Sequence, residues 1–149
     1  MSISIRQAGM ADIDRIAPLF DQYRQFYRQP ADSALASEFI RERLALQESV
    51  IFLAENEEGQ AVGFTQLYPL FSSISARRSW MLNDLFVLPA ARRSGVASAL
   101  LNAAKAHAIA TGAKSLELST AHDNPAQKLY ESHGYVRDKV FYYYSLDVD

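Results

Sequence analysis

The chain contains no cysteine. Disulfide cross-links, thiolate catalysis and cysteine-ligated metal are therefore excluded, and the composition suits a reducing cytoplasm. Histidine is scarce. His107, His122 and His133 are the three present, no two stand at a metal-ligand spacing such as His-x-x-x-His, and no metal site is expected. A dominant charge of one sign is also missing. Lysine and arginine total 15 against 17 aspartate and glutamate, and the net charge of −2 gives no electrostatic reason to bind nucleic acid or an anionic membrane. No stretch approaches the roughly 20 apolar residues of a membrane-spanning helix. The first residues, Met1-Ser2-Ile3-Ser4-Ile5-Arg6, lack the apolar centre of a signal peptide. A cytoplasmic protein without nucleic-acid or membrane partners is expected.

What is present is an ordinary globular composition, 49% hydrophobic and 21% charged over 149 residues. That length fits a single domain, residues 1–149, with room for a sizeable core. Ser2 to Gln7 alternates apolar and polar residues, a strand signal. Asp12 stands where it can cap a helix carrying Ile13, Ile16, Leu19, Phe20, Tyr23 and Phe26-Tyr27, which Pro30 ends. A second amphipathic helix is expected over 33–47, with Leu35, Phe39, Ile40, Leu44 and Leu46 on its apolar side. Strands over 50–55 and 61–70, joined by Asn56-Glu57-Glu58-Gly59, read as a hairpin. A near-continuous apolar strand over 80–88 is expected at the centre of a sheet. A long helix follows over 95–111, with Gly112 placed for a left-handed cap. A strand over 114–120, a short helix over 124–133 and a β-rich end over 135–148 complete the chain. The order β-α-α-β-β-β-α-β-α-β implies an α/β fold with a mixed central sheet flanked by helices.

The most informative segment joins the central strand to the long helix. Leu85-Phe86-Val87-Leu88 is followed by Pro89, a basic turn, Gly95 and the helix start. The first N–H groups of a helix lack intrahelical partners and sit at the positive end of its dipole, which makes an anion site suited to a pyrophosphate. Gly95 allows close backbone approach, Ala97 keeps the helix start uncluttered, and Arg92 and Arg93 add charge-assisted donors. Taken alone, Arg-x-x-Gly reads more readily as a capped helix with a solvated basic turn. The order of strand, proline, loop and long helix is what gives it weight.

Arg92, Gly95 and Ala97 match Arg/Gln-x-x-Gly-x-Gly/Ala after a central strand, and in this the sequence resembles the GNAT superfamily of N-acetyltransferases. The resemblance covers nearly the whole chain, from the N-terminal helix pair to Tyr130 and Gly134-Tyr135. Within the superfamily, Gly63-Phe64 through Leu70 and Leu82-Asn83-Asp84-Leu85-Phe86-Val87 look like the group of the yeast histone and polyamine acetyltransferases. The resemblance implies the GNAT acyl-CoA N-acyltransferase fold and acetyl-CoA as cosubstrate. It implies that main-chain groups of Leu85, Phe86 and Val87 meet the acetyl and pantetheine portions, and that Arg92, Arg93, Ser94, Gly95, Val96, Ala97 and Ser98 hold the pyrophosphate. The same strand residues would also serve as plain core.

Transfer to an amine requires the neutral amine. For a lysine-like amine of pKa ~10.4 that form is scarce at pH 7 by ~3.4 units, or roughly 4.6 kcal/mol. A base or water chain must take the proton, and a weak acid must supply one to the departing thiolate. By resemblance Tyr130 is the acid, although a half-buried aromatic on an amphipathic helix would look the same. Polyamine enzymes of the group carry a glutamate where this chain has Asn83, which cannot accept a proton and is left to position a water. Asp84 beside it is either the base or a structural carboxylate, and alternation puts it on the opposite face unless a bulge intervenes. The family's pantetheine-contacting asparagine, seven residues before the tyrosine, falls on Asp123, with Asn124 next to it. Asn124 is equally a helix cap.

An acceptor lining is expected from Asp21, Tyr23, Phe26, Tyr27 and Glu38 and from Tyr142 to Tyr144, suited to a cationic amine or serving as core. The expected function is acetyl transfer to a primary amine of a small molecule, of amino-acid or polyamine type. A protein lysine acetyltransferase and a non-catalytic acyl-CoA-binding module are the alternatives. The aromatic end of the chain makes a homodimer the expected assembly.

Overall fold

A computed structural model describes residues 2–149, which divide into two compact units, one running to Ser119 and the other Thr120–Asp149. The first unit holds β1 (Ser4–Gln7), α1 (Ile13–Phe26), α2 (Ser33–Ala45), β2 (Val50–Glu55), β3 (Ala61–Ser72), β4 (Arg77–Val87), α3 (Val96–Ala110) and β5 (Leu116–Glu117). The second holds α4 (Ala126–Ser132). The strands form one sheet in the order β1-β2-β3-β4-β5, antiparallel except for the parallel pair β4–β5, for which α3 is the crossover.

Alternation along the strands, shifted at Val62 where β3 carries an extra residue against β2, assigns side chains to two packing clusters. Ile51, Leu53, Phe64 and Phe86 pack with Ile13, Ile16, Leu19 and Phe20 of α1 and Ala36 and Ile40 of α2. Ala54, Val62 and Val87 pack instead with Val96 and Leu100 of α3. Gly63 is required for the second contact. A Cβ there would stand 2.9 Å from the Phe86 carbonyl and 3.2 Å from Val96 Cγ1, so a larger residue would clash with the β4 backbone and crowd the α3 side chain packed there. Farther along, the Trp80 indole donates to Thr111 Oγ1 at 2.9 Å, and the His107 ring packs edge-on against Trp80 and Phe52.

Some elements depart from the expectation. Asp12 precedes α1, but its side chain caps nothing there. Its carboxylate accepts two bonds from the Arg6 guanidinium, at 2.7 and 3.0 Å, and one from the Gly9 N–H at 2.9 Å, tying β1 to the start of α1. In α2 the buried stripe is Ala36 and Ile40 with Phe39 and Leu44 half-buried. Leu35 and Leu46 fall outside that i, i+4 line and are exposed. The strand expected over 114–120 shortens to Leu116–Glu117. Residues 135–149 carry no strand, and Phe141 to Tyr144 are exposed. β-propensity makes a strand only against a ladder partner, and the unit Thr120–Asp149 has no second strand to offer. There Asp138 Oδ1 instead accepts the Val140 and Phe141 N–H groups in a local turn.

The Arg6 bonds lower the Asp12 carboxyl to about 2, with the Gly9 N–H helping. A folded-state pKa below the unfolded one gives stability that is present above about pH 4 and lost as pH falls through about 2. Asp12→Asn is expected to cost about 1–2 kcal/mol at pH 7, since Arg6 is partly exposed. In urea unfolding the wild-type and variant curves should converge near pH 2.

Candidate active site

The sheet leaves β4 half-paired. It runs against β3 from Arg77 to Val87, but β5 pairs only with Trp80 and Met81. From Leu82 onward the strand has no β5 partner. The Leu88 N–H donates to the Val62 carbonyl at 2.8 Å. In an antiparallel ladder that fixes the alternation, so Phe86 turns its main-chain groups toward β3, while Leu85 and Val87 turn theirs the other way. Of the three strand residues expected to meet a ligand through the main chain, Leu85 and Val87 are the two so oriented.

Beyond β4 the chain makes a short 3-10 turn at Pro89–Ala91, then the loop Arg92–Gly95, then α3. Gly95 is the N-cap residue with φ 84°, a left-handed conformation open to glycine, and Arg93 is also left-handed at φ 64°. Arg92 to Gly95 are exposed, whereas Val96 is buried in the core beside Gly63. Arg92 Nε donates to the Val87 carbonyl at 2.9 Å and its guanidinium lies 5.8 Å from the Phe86 ring centroid. Ser94 Oγ donates to the Ala91 carbonyl. A solvent-facing loop thus delivers the first N–H groups of a 15-residue helix beside two arginines, which fits the diphosphate of acetyl-CoA. Among the described residues no group of three His, Asp or Glu side chains is arranged to hold a metal.

Asp84 occupies the most unusual position. Gln66 pairs with Asp84 and the next residue, Leu67, pairs with Leu82, so Asn83 is the extra residue of a β-bulge. Asn83 is exposed at the bulge, and Asp84, in step with the buried Leu82 and Phe86, lies in the interior, 1% exposed. The two Asp84 oxygens accept from Asn83 Nδ2 at 2.7 Å and Gln66 Nε2 at 2.6 Å, and Thr65 Oγ1 donates to the Asp84 carbonyl at 2.7 Å. Burial pushes the Asp84 carboxyl up to about 6, with the two amide donors partly offsetting it. Tyr68, half-buried on β3, has its phenol pushed above the ordinary range by burial and then by the Asp84 charge.

Above the bulge stands an aromatic row. The Tyr23 hydroxyl donates to the Asn83 carbonyl at 3.2 Å, and its ring meets Phe86, Phe64 and Tyr27 edge-on. Phe26 and Tyr27 continue the row outward and are exposed. Asp21 accepts the Asp32 N–H at 3.0 Å and braces the loop into α2.

In the second unit, Tyr130 lies on α4 with its ring 5.9 Å from Tyr135, edge to face. Burial raises the Tyr135 phenol to about 12, and Tyr130 adds to the effect. Asn124 Oδ1 accepts the Ala126 N–H at 2.9 Å and so braces the start of α4, while Asp123 is exposed.

Residues 14–135 match the family model described as Acetyltransferase (GNAT) family. The chain belongs to the GNAT acetyltransferases. It is 52% identical over 147 residues, 98% of each chain, to the uncharacterized N-acetyltransferase YhfO of Bacillus subtilis (strain 168). It is 36% identical over 99 residues to a probable acetyltransferase of Haemophilus influenzae, covering 66% of this chain and 68% of that one. Among solved structures, one of a probable acetyltransferase superposes with a TM-score of 0.94 at 44% identity, covering 98% of both chains. The GNAT fold and acetyltransferase class expected from Arg92, Gly95 and Ala97 are thereby shown, and acetyl-CoA is the family's cosubstrate.

Gln66 and Tyr68 escaped the sequence reading. A lone glutamine and tyrosine on an alternating strand carry no motif, and the signal lay in Gln66 falling at a position that alternation reserves for the core. For Asp84 the folded pKa, about 6, lies above the ordinary aspartate value of 3.8. Its stability contribution is therefore fully present below about pH 4 and lost as pH rises through about 6. Asp84→Asn, a neutral isostere, should raise the unfolding free energy at pH 7 by on the order of 2 kcal/mol. Denaturant unfolding at pH 4 and pH 7 checks this, and the gain should shrink at the lower pH.

Proposed function

We propose that residues 1–149 act as one cytoplasmic, acetyl-CoA-dependent N-acetyltransferase domain whose acceptor is a primary amine of a small cationic molecule, of amino-acid or polyamine type. The match over residues 14–135 runs through both compact units and supports a single catalytic domain. When bound, acetyl-CoA supplies the activated acetyl thioester. Arg92, Arg93, Ser94 and the N–H groups of Val96, Ala97 and Ser98 hold its diphosphate, and main-chain groups of Leu85 and Val87 align the pantetheine arm. Asp123 and Asn124 are the further candidates for contact with that arm.

The observation that carries the acceptor reading is the buried Asp84 carboxylate at the Asn83 bulge, next to the aromatic row of Tyr23 and Tyr27. A carboxyl with pKa about 6 is ionised at pH 7 yet takes a proton more readily than an ordinary aspartate. Asp84 is the base that removes the ammonium proton, Asn83 holds it, and Tyr130 returns a proton to the leaving thiolate. The aromatic row suits a cation through its ring faces. Likeness of the Gly63–Leu70 and Leu82–Val87 segments to the yeast histone and polyamine group makes a peptide lysine the second acceptor reading. The exposed aromatic run Phe141–Tyr144 supports a homodimer, with light scattering as its test.

Thiol release from acetyl-CoA against a panel of free amines and lysine peptides tests the proposal. Free polyamines or amino acids should be acetylated faster than peptides. Arg92→Ala should weaken acetyl-CoA binding roughly 10-fold or more. Tyr130→Phe should keep binding and lose on the order of 100-fold in turnover. Binding without turnover of any amine would favour a non-catalytic acyl-CoA module, and neither binding nor turnover would sink the proposal.

A further inference from the structure

Gln66 does nothing that the core requires. It lies in the middle of β3, opposite Asp84 and beside the bulge, and is fully buried. A glutamine there carries an amide into the interior at a cost that leucine or valine would avoid. Its Nε2 donates to Asp84 Oδ2 at 2.6 Å, while its Oε1 has no hydrogen-bond partner among the described residues. An orphaned buried acceptor is itself unfavourable, so the side chain is kept for its donor end alone.

The second hold on Asp84 differs in kind. Asn83 Nδ2 reaches the other carboxylate oxygen from the exposed bulge, where water competes for the same bond. Gln66 has no such competitor. Among the described residues, the ionisable groups around Asp84 supply no close cation. Tyr68 from β3 carries a phenol that stays neutral, Tyr23 from α1 spends its hydroxyl on the Asn83 carbonyl, and Arg43 from α2 acts on Tyr68. Only burial and the two amides set the carboxyl.

We propose that Gln66 is a positioning residue for acetyl transfer, whose amide aims and stabilises the Asp84 carboxylate without touching either substrate. This rests on the reading of Asp84 as the base. Removing the donor leaves the anion buried with one exposed partner, so its proton is held more tightly and its orientation is looser. Gln66→Met keeps a similar volume and deletes the donor. Gln66→Glu keeps the shape and sets a second carboxyl beside the first.

The test pairs two readouts on the full chain, the pH profile of kcat/KM for the best amine of the panel and the carbon-13 carboxyl titration of Asp84. In Gln66→Met the titration midpoint and the acid limb of the profile should both rise by about one pH unit, with kcat falling roughly 10-fold and KM for acetyl-CoA unchanged. Should Gln66→Met fail to fold, Gln66→Glu is read by the same two measures, with the same upward direction. A midpoint and acid limb that stay in place, with Asp84→Asn inactive, would overturn the role of Gln66 alone. Wild-type turnover in Asp84→Asn would overturn the base reading beneath it.

Discussion

β4 is laddered to β3 along its whole length but shares only Trp80 and Met81 with β5. That half-paired strand governs the rest of the site. Its free half turns the main-chain groups of Leu85 and Val87 away from β3, its end feeds the loop into α3, and its middle carries the bulge at Asn83. A strand paired on both sides would bury all of these in ladder hydrogen bonds. Gly63 matters for the same reason. It is the gap in β3 through which α3 approaches, and the approach sets where the helix N-terminus stands relative to Val87.

The bulge has an energetic side as well as a geometric one. Asp84 stays in step with the buried Leu82 and Phe86, and so a carboxylate lies in the interior beside the extra residue Asn83. Burial opposes its ionisation, and Asn83 and Gln66 recover part of that cost. A fold seeking stability alone would use a neutral residue there. Retaining a buried carboxylate beside an aromatic row is the pattern of a group held for chemistry rather than for packing.

Much of the fold was legible in the chain. The hairpin of β2 and β3, the amphipathic α1 and the strand-loop-helix from Leu85 to Ala97 followed from periodicity and turn chemistry, because those signals are local. The bulge was not legible, since it depends on the register between Gln66 and Asp84, eighteen positions apart, and no residue type announces register. Asp12 misled for a related reason. Its residue type and place fit a helix cap, but the Arg6 guanidinium on β1 offered two charge-assisted bonds in place of one neutral N–H. At the other end, Tyr142 to Tyr144 promised a strand from propensity alone, and propensity without a partner strand does not make one.

The loop identifies the donor more sharply than the acceptor, since a diphosphate asks for main-chain N–H groups and positive charge whatever the second substrate is. The most direct measurement of the central claim is a nitrogen-15 amide titration of the protein with coenzyme A. The largest shifts are expected at the N–H groups of Val96, Ala97 and Ser98, followed by Leu85 and Val87. Shifts confined to other segments, such as the surface around Trp80 and His107, with Val96 to Ser98 unmoved, would contradict it.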